Sequence, residues 1–535
     1  MIYALIALSF VIVAFGQPVH SSFLSLISSI GGVGLFWGVT LDVAPKKRFW
    51  LALFFMMGVH LVQLYWFVAH PYLYIYALWT LVSFVFGVTF AIITAQVTKQ
   101  NLKSYVRILG IASIATLFEW GRLFILSGFS WNPIGIAASA NLYSLQFASL
   151  LGVYGLSFWV YVTNLLLVRA YLYASWIVYG VVAAVPFLFG AWQIKHHDQK
   201  SGRESPESIE ALLVQTAFPI EEVLPFKTVD AYRDFVIEEW ESILKSLSRY
   251  KGEKVQLIVL PEYVVPFGTY TPIFPEEKIK ELFKNNLGDK VKFQFPYREE
   301  TSLTSKVSNA DIIQTIADHF NADVIAGLED VEIKSKNEIN YFSSAFLFES
   351  HKPGSERRYD KRVLVPMGEY IPFKFCRDLA KSYGIQGSFT CGEEAKVFQG
   401  CNAPFGLSIC YEETYANLMR ESRAKGAKYL VNLTSDVWYP NSDLPQQHLD
   451  HARLRTVEGG YPLLRSCNTG VTTAIDSLGR TIDEIEGEWT RGALKVKVPL
   501  YNYSTLYTLT GDTLLMGFCF MLSGLYFLLR KFQMH

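Results

Sequence analysis

Three side chains able to do chemistry together each sit beside an apolar run. Leu257-Ile258-Val259-Leu260-Pro261 runs into Glu262. Arg358-Tyr359-Asp360 leads to Lys361, ahead of Val363-Leu364-Val365-Pro366 and Gly368-Glu369-Tyr370. Phe405-Gly406-Leu407-Ser408-Ile409 ends in Cys410, followed by Tyr411 and Glu412. A carboxylate closing a buried strand sits at the sheet's carboxyl edge, where open α/β sheets build their sites. Burial raises its pKa and suits it to proton transfer. A cysteine at a strand-to-helix turn can serve as a nucleophile, its thiolate helped by a helix N-terminus. Each residue also has a plainer reading: an acid opening a solvated turn, a surface lysine in a charged cluster, a small buried hydrophobe. None is specific alone; the ordered set of three is.

These residues need a sheet to hold them. Short apolar or β-branched runs bounded by turn residues predict strands over 211–217, 256–261, 323–327, 344–348, 406–410, Tyr429–Thr434 and Leu463–Cys467. Helical patterns lie between them at 229–250, 308–320, 415–425 and Leu444–Gly459. The alternation argues for an α/β layer structure. The segment 267–304 is long for a plain connection, and long ordered loops are often lids or binding elements.

The remainder of the chain is of another kind. Of 535 residues, 51% are hydrophobic and only 18% charged, and the shortage of charge is concentrated at the two ends. A membrane helix needs about 20 apolar residues. Such stretches fall near 1–15, 22–42, 49–69, 72–97, 105–127, 145–168 and 173–192, with an eighth at 509–530. The expected organisation is a seven-span bundle (1–194), a soluble domain (195–505), and a closing helix with its tail (506–535). The first stretch lacks a basic lead and a convincing cleavage site, so it is read as a retained helix. Lys46-Lys47-Arg48, Lys99, Lys103, Arg107 and Arg169 fall in alternate loops, and the intervening loops hold no Lys or Arg. The positive-inside rule then puts both termini in the cytoplasm and the soluble domain outside. The 48 basic and 48 acidic residues give no basic excess for nucleic acid. His196-His197 has no third ligand nearby, so neither metal nor cofactor is expected. Cys376, Cys391, Cys401, Cys410 and Cys467 lie in the soluble domain, and their spacing leaves any pairing open.

A strand ending in Glu, a Lys before a Val-Pro/Gly-Glu-Tyr segment, and a strand ending in Cys-Tyr-Glu together resemble the nitrilase, or carbon–nitrogen hydrolase, superfamily. Such a domain between seven spans and a last one resembles its membrane-bound branch, the apolipoprotein N-acyltransferases. Ser130-Trp131-Asn132-Pro133, 435–439 and 453–470 agree with that resemblance. It implies an αββα sandwich within a multi-pass helical bundle of about eight spans, with Glu262, Lys361 and Cys410 as catalytic triad. It implies acyl transfer from a phospholipid to a diacylglyceryl apolipoprotein through a Cys410 thioester, in the bacterial inner membrane, by a monomer. Glu369 then supports the lysine and the base, with Tyr411 and Glu412 as further supports. Trp438, Tyr439 and Ser435 are candidate substrate contacts or plain packing; Ser435 stands where the family has Asn, and Cys467 where it often has Thr. Glu119 and Arg122, three residues apart in an apolar stretch, are read as either a functional site or a helix-locking ion pair. The rival reading is a membrane-tethered amidase or nitrilase acting on a small substrate.

Overall fold

Charge-poor sequence becomes helix and alternating sequence becomes sheet, and the two segregate into two units. The computed structural model describes residues 1–204, 206–220, 224–301, 304–335, 338–373, 388–400 and 402–531. Cys376 and Cys401 lie outside the described residues. One unit gathers Met1–Ser205, Asn441–Gly460 and Tyr503–His535; the other gathers Pro206–Pro440 and Tyr461–Asn502.

In the first unit, all eight apolar stretches are helical. Among the described residues, five helices are long and apolar enough to cross a membrane: Ser22–Thr40, Tyr74–Gln96, Ala148–Tyr173, Trp176–Glu204 and Thr513–Lys531. Helices Ile2–Ala14 and Tyr105–Gly121 are shorter, and Pro45–Gln63 opens on Lys46-Lys47-Arg48. Two expected boundaries move. Helix Trp176–Glu204 runs on through Pro186 and past residue 194, with Lys195, Gln199, Lys200, Arg203 and Glu204 as its better helix formers there. Helix Leu444–Gly459, expected in the soluble domain, belongs to this unit. Its Leu454 and Val457 pack with Leu156, Val160, Leu515 and Met516, and Glu458 accepts the Val153 N–H at 2.8 Å.

The second unit is built on two six-stranded sheets and a small third. Its strands are β1 (Ser208–Gln215), β2 (Leu257–Val259), β3 (Phe274–Pro275), β4 (Glu299–Glu300), β5 (Ser305–Val307), β6 (Asp323–Ser335), β7 (Glu338–Phe348) and β8 (Arg357–Asp360). There follow β9 (Val397–Gln399), β10 (Pro404–Ile409), β11 (Tyr429–Thr434), β12 (Leu463–Cys467), β13 (Thr473–Ile475), β14 (Thr481–Glu484) and β15 (Gly492–Pro499). The sheets run β15-β1-β2-β6-β7-β8 and β14-β13-β12-β11-β10-β9. Strands β1, β2 and β6 are mutually parallel, as are β10, β11 and β12, so the reactive strand ends of each sheet share one edge.

The sheets face each other through one apolar core that joins Leu213, Val259, Ile325 and Leu347 to Leu407, Val431 and Leu464. The outer face of the first sheet is covered by helices Val229–Ser248, Glu276–Leu287 and Asn309–Phe320, through Trp240, Phe283 and Ile313. Thr228 caps the first of these helices and a Ser308/Asp311 capping box starts the third, satisfying N–H groups that have no helical partner. The 267–304 segment is therefore more than a loop. Ile279, Leu282, Phe283 and Leu287 of its helix are part of the domain core.

Candidate active site

Glu262 is set by the backbone of β6. Leu260 N–H bonds to the Ile325 carbonyl (2.8 Å), Gly327 N–H to the Pro261 carbonyl (3.1 Å), and Val264 N–H to the Gly327 carbonyl (3.0 Å). Residue 327 must be glycine for this approach: a Cβ there would lie 2.6 Å from both Glu262 Cα and the Pro261 carbonyl oxygen. Lys361 follows β8 directly, its N–H still paired to the Ser343 carbonyl at 2.9 Å. Cys410 ends β10 with φ +51°, a left-handed conformation costly for a residue with a Cβ and concentrated at functional sites.

These turns bring the three residues together. Lys361, 1% exposed, donates from Nζ to Glu262 Oε1 at 3.0 Å and to Glu369 Oε1 at 2.6 Å. Glu369 is fixed in turn by the Val365 N–H, 2.8 Å from its Oε2. Glu262, 4% exposed, is close enough to the Cys410 thiol for its charge to act on it. Of the three residues, only Cys410 keeps partial exposure; Glu262 and Lys361 are buried.

Burial dominates the electrostatics. It raises the Glu262 carboxyl above the usual range, with Lys361 pulling the other way. It would lower the Lys361 ammonium, but the Glu262 and Glu369 carboxylates outweigh it and hold the group well above its ordinary value. Burial, reinforced by the Glu262 charge, also pushes the Cys410 thiol well up. The expected help from a helix N-terminus is not available. Residues Cys410–Thr414 form a 3-10 turn, and the helix proper starts at Ala416. Burial and the Glu262 charge thus favour the protonated thiol at Cys410.

Glu412 carries more of the geometry than its sequence position suggests. Wholly buried, it accepts Arg362 N–H (2.6 Å) and Val363 N–H (3.2 Å) on Oε1, Ile409 N–H (2.8 Å) on Oε2, and the Tyr359 hydroxyl at 2.9–3.0 Å. One carboxylate thus ties the lysine turn to the cysteine turn. Tyr411 packs its ring edge-on to Tyr415, centroids 5.1 Å apart. The turn after β11 places the Ser435 carbonyl 3.9 Å from the Cys410 sulfur. Trp438 and Tyr439 lie half-buried on that same turn.

Sequence reasoning passed over several residues that shape this edge. Asn432 donates to Ser408 Oγ at 3.0 Å, and Asn468 donates to Ser435 Oγ at 3.2 Å. Ser466 Oγ lies 2.6 Å from the Val214 carbonyl and 3.0 Å from that of Val259, stitching β12 to the facing sheet. Polar residues inside apolar strands were the signal, since buried polar groups require partners.

Glu119 and Arg122 belong to the helical unit and engage other groups rather than each other's side chains. Glu119 Oε1 accepts the Tyr161 hydroxyl (2.9 Å) and the Ile134 N–H (3.0 Å). Arg122 donates to the Glu119 and Trp131 carbonyls and covers the Phe86 ring at 4.3 Å. The ion pair between these two side chains is not formed.

Comparison with known proteins agrees with this arrangement. Residues 233–506 match the carbon-nitrogen hydrolase family, and residues 7–166 match the apolipoprotein N-acyltransferase N-terminal domain. A carbon-nitrogen hydrolase domain joined to a helical bundle with membrane-length helices is the class that fold and site define. The chain is 32% identical to the apolipoprotein N-acyltransferase of Chlamydia pneumoniae, over 96% of this chain and 95% of that protein. It is 31% identical to the one from Chlamydia muridarum, over 95% and 93%. The chain belongs to the apolipoprotein N-acyltransferase family.

Proposed function

We propose that this enzyme transfers a fatty acyl chain from a phospholipid to the α-amino group of a diacylglyceryl-cysteine apolipoprotein, through a thioester on Cys410. The observation that carries the reading is the buried Lys361 ammonium bonded to Glu262 and Glu369, with Cys410 close enough for both Glu262 and Lys361 to act on its thiol. Glu262 takes the Cys410 proton. The sulfur attacks the ester carbonyl, and Lys361 with the Tyr411 N–H offset the developing oxyanion. The C–S bond forms, the C–O bond breaks, and the departing glycerol oxygen receives the proton from Glu262. The lysophospholipid leaves. The neutral α-amine then attacks the thioester carbonyl; the C–N bond forms, the C–S bond breaks, and an N–H proton passes by Glu262 to the sulfur. Donor and acceptor use one site in turn, which requires ping-pong kinetics.

The same reading puts the enzyme in the bacterial inner membrane with eight spans, both termini cytoplasmic, and the catalytic domain on the outer side, as a monomer. Alternation of basic and uncharged loops supports the orientation. Mass spectrometry of the full-length protein after incubation with phospholipid tests the chemistry. The expected result is an acyl adduct on Cys410 that hydroxylamine releases and Cys410→Ser abolishes. Retained activity in Cys410→Ser refutes the mechanism. An adduct discharged by water, but not by a diacylglyceryl peptide amine, favours a small-substrate hydrolase instead.

A further inference from the structure

Arg465 stands in the middle of β12, within Leu463-Leu464-Arg465-Ser466-Cys467, and is wholly buried. A charge inside a buried strand is tolerated only when paired and hydrogen-bonded. Its Nε and Nη1 meet that condition with hydrogen bonds and Nη2 faces a carboxylate, so the guanidinium gathers three turns at the carboxyl edge of the second sheet. Nε donates to Glu413 Oε1 at 2.9 Å, in the turn after β10 that contains Cys410. Nη1 donates to the Val471 carbonyl at 2.8 Å and to Cys467 Sγ at 3.0 Å, in and beyond β12. Nη2 lies 3.7 Å from Asp436 Oδ2, in the turn after β11 whose Ser435 carbonyl faces the Cys410 sulfur. Glu413 is likewise wholly buried, so this ion pair is shielded from solvent at both ends.

The neighbouring turn is built to the same plan. Gly470 has φ +118°, and a Cβ there would lie 2.5 Å from Asp436 Oδ2. The Asp436 carboxylate therefore lies close to the Gly470 backbone, with the Arg465 guanidinium 3.7 Å away. Four groups act electrostatically on Cys410: Glu262, Lys361, Asp436 and Glu369. Asp436 is the one among them that Arg465 touches, and its charge opposes formation of the thiolate. The groups acting on Arg465 are Cys467, Glu413 and Asp436.

We infer that Arg465 is a positioning residue for acyl transfer: through Glu413 it fixes the Cys410–Thr414 turn, and through its charge it shields the nucleophile from Asp436. The inference rests on Cys410 being the nucleophile. Two functions follow from one side chain. The fork holds the left-handed Cys410 backbone and the Tyr411 N–H in register for attack. The charge keeps a second carboxylate from holding the proton on sulfur. A lysine supplies the charge but not the planar fork, and a methionine supplies neither.

The test is the single-turnover rate of Cys410 acylation against pH. It uses full-length protein in phosphatidylethanolamine/phosphatidylglycerol bilayers, read by mass spectrometry. Misplacing a reacting group by about 1 Å costs on the order of 100-fold, so Arg465→Met is expected to lose about 100-fold. The phospholipid concentration for half-maximal rate should be unchanged. The rising limb of the pH profile should move to higher pH in Arg465→Met and return when Asp436→Asn is added, which a merely structural role would not produce. A slowed Arg465→Met whose limb stays at the wild-type pH overturns the inference, as does a wild-type rate. If Arg465→Met does not fold, Arg465→Lys decides: slowed acylation with an unmoved limb supports the inference, and a wild-type rate overturns it. Absence of any Cys410 adduct in the wild-type protein instead removes the underlying reading of the nucleophile.

Discussion

Replacing Lys361 by Met isolates what the ammonium does. The side chain is 1% exposed and its Nζ lies 3.0 Å from Glu262 and 2.6 Å from Glu369. Removing it leaves the buried Glu262 and the partly buried Glu369 carboxylates with no cation between them. Breaking a buried ion pair by deleting one partner costs about 3–5 kcal/mol. At about 2–4 °C per kcal/mol for a unit of this size, the catalytic domain should melt roughly 6–20 °C lower. The pH dependence fixes the cause. Without Lys361, mutual repulsion and burial lift a folded-state carboxyl pKa above its unfolded value of about 4.3. An acid whose folded pKa is raised destabilises nothing while both states are protonated. Its penalty grows as pH rises past the unfolded pKa and levels off above the folded one. The difference in Tm between wild type and Lys361→Met should therefore be small near pH 4 and largest near pH 8. Adding Glu369→Gln removes one of the two charges and should recover a substantial part of the loss. The assay is thermal unfolding of the full-length protein followed by near-ultraviolet circular dichroism across that range. A loss that is equal at all pH values would assign the lysine to packing, and no loss would refute the electrostatic account altogether.

Two other substitutions probe how the site is held. Glu412→Gln leaves one oxygen where two now receive three backbone N–H groups and a tyrosine hydroxyl. With hydrogen bonds to a charged group contributing about 1.5–3 kcal/mol each, it should lower Tm markedly and slow Cys410 acylation, and wild-type values for both would remove Glu412 from the supporting role. Gly327→Ala drives a methyl group into the Glu262 backbone. Acylation should fall with Glu262 displaced while the Cys410 thiol keeps its reactivity to a small alkylating agent at high pH, and an unchanged rate would show that the turn has room to move.

How much of this was legible in the sequence depended on what each residue type demands. Tyr429–Thr434 and Leu463–Cys467 form as expected because a short apolar run between turn residues has few alternatives to a buried strand. Strand β15, Gly492–Pro499, went unread although Ala493, Lys495 and Lys497 alternate with buried positions only loosely; a search for continuous apolar runs passes over an antiparallel strand. Strand β8 is charged at Arg357, Arg358 and Asp360, and only its fold partners reveal it: Arg358 pairs with Asp330 and Glu332, while Tyr359 points inward to Glu412. Helix Leu444–Gly459 reads as soluble because His448, Asp450, His451, Arg455 and Glu458 are polar, yet all five are buried. Local composition cannot say that Glu458 will meet the Val153 N–H, 305 residues away in the chain.

The site illustrates the same limit from the opposite side. Glu262, Lys361 and Cys410 were found because each terminates or extends a strand, and parallel strands deliver their ends to one edge. Glu412 and Arg465 were ranked low or passed over because their roles exist only between turns. Each joins segments that are adjacent in space and distant in sequence. Their burial has a chemical consequence. With Glu262 and Lys361 nearly sealed and Cys410 only partly exposed, solvent has little access to the base. A base that is close to sulfur and shielded from solvent favours proton exchange with a group already bound there. In the proposed mechanism, such a base would protect a thioester from hydrolysis until an amine arrives. Opening that shield, by a small residue at 359 or 412, should therefore raise the share of thioester lost to water before it lowers the rate of its formation. Measuring free fatty acid against amide product in Tyr359→Ala decides this: an unchanged ratio would mean that the selection against water lies elsewhere.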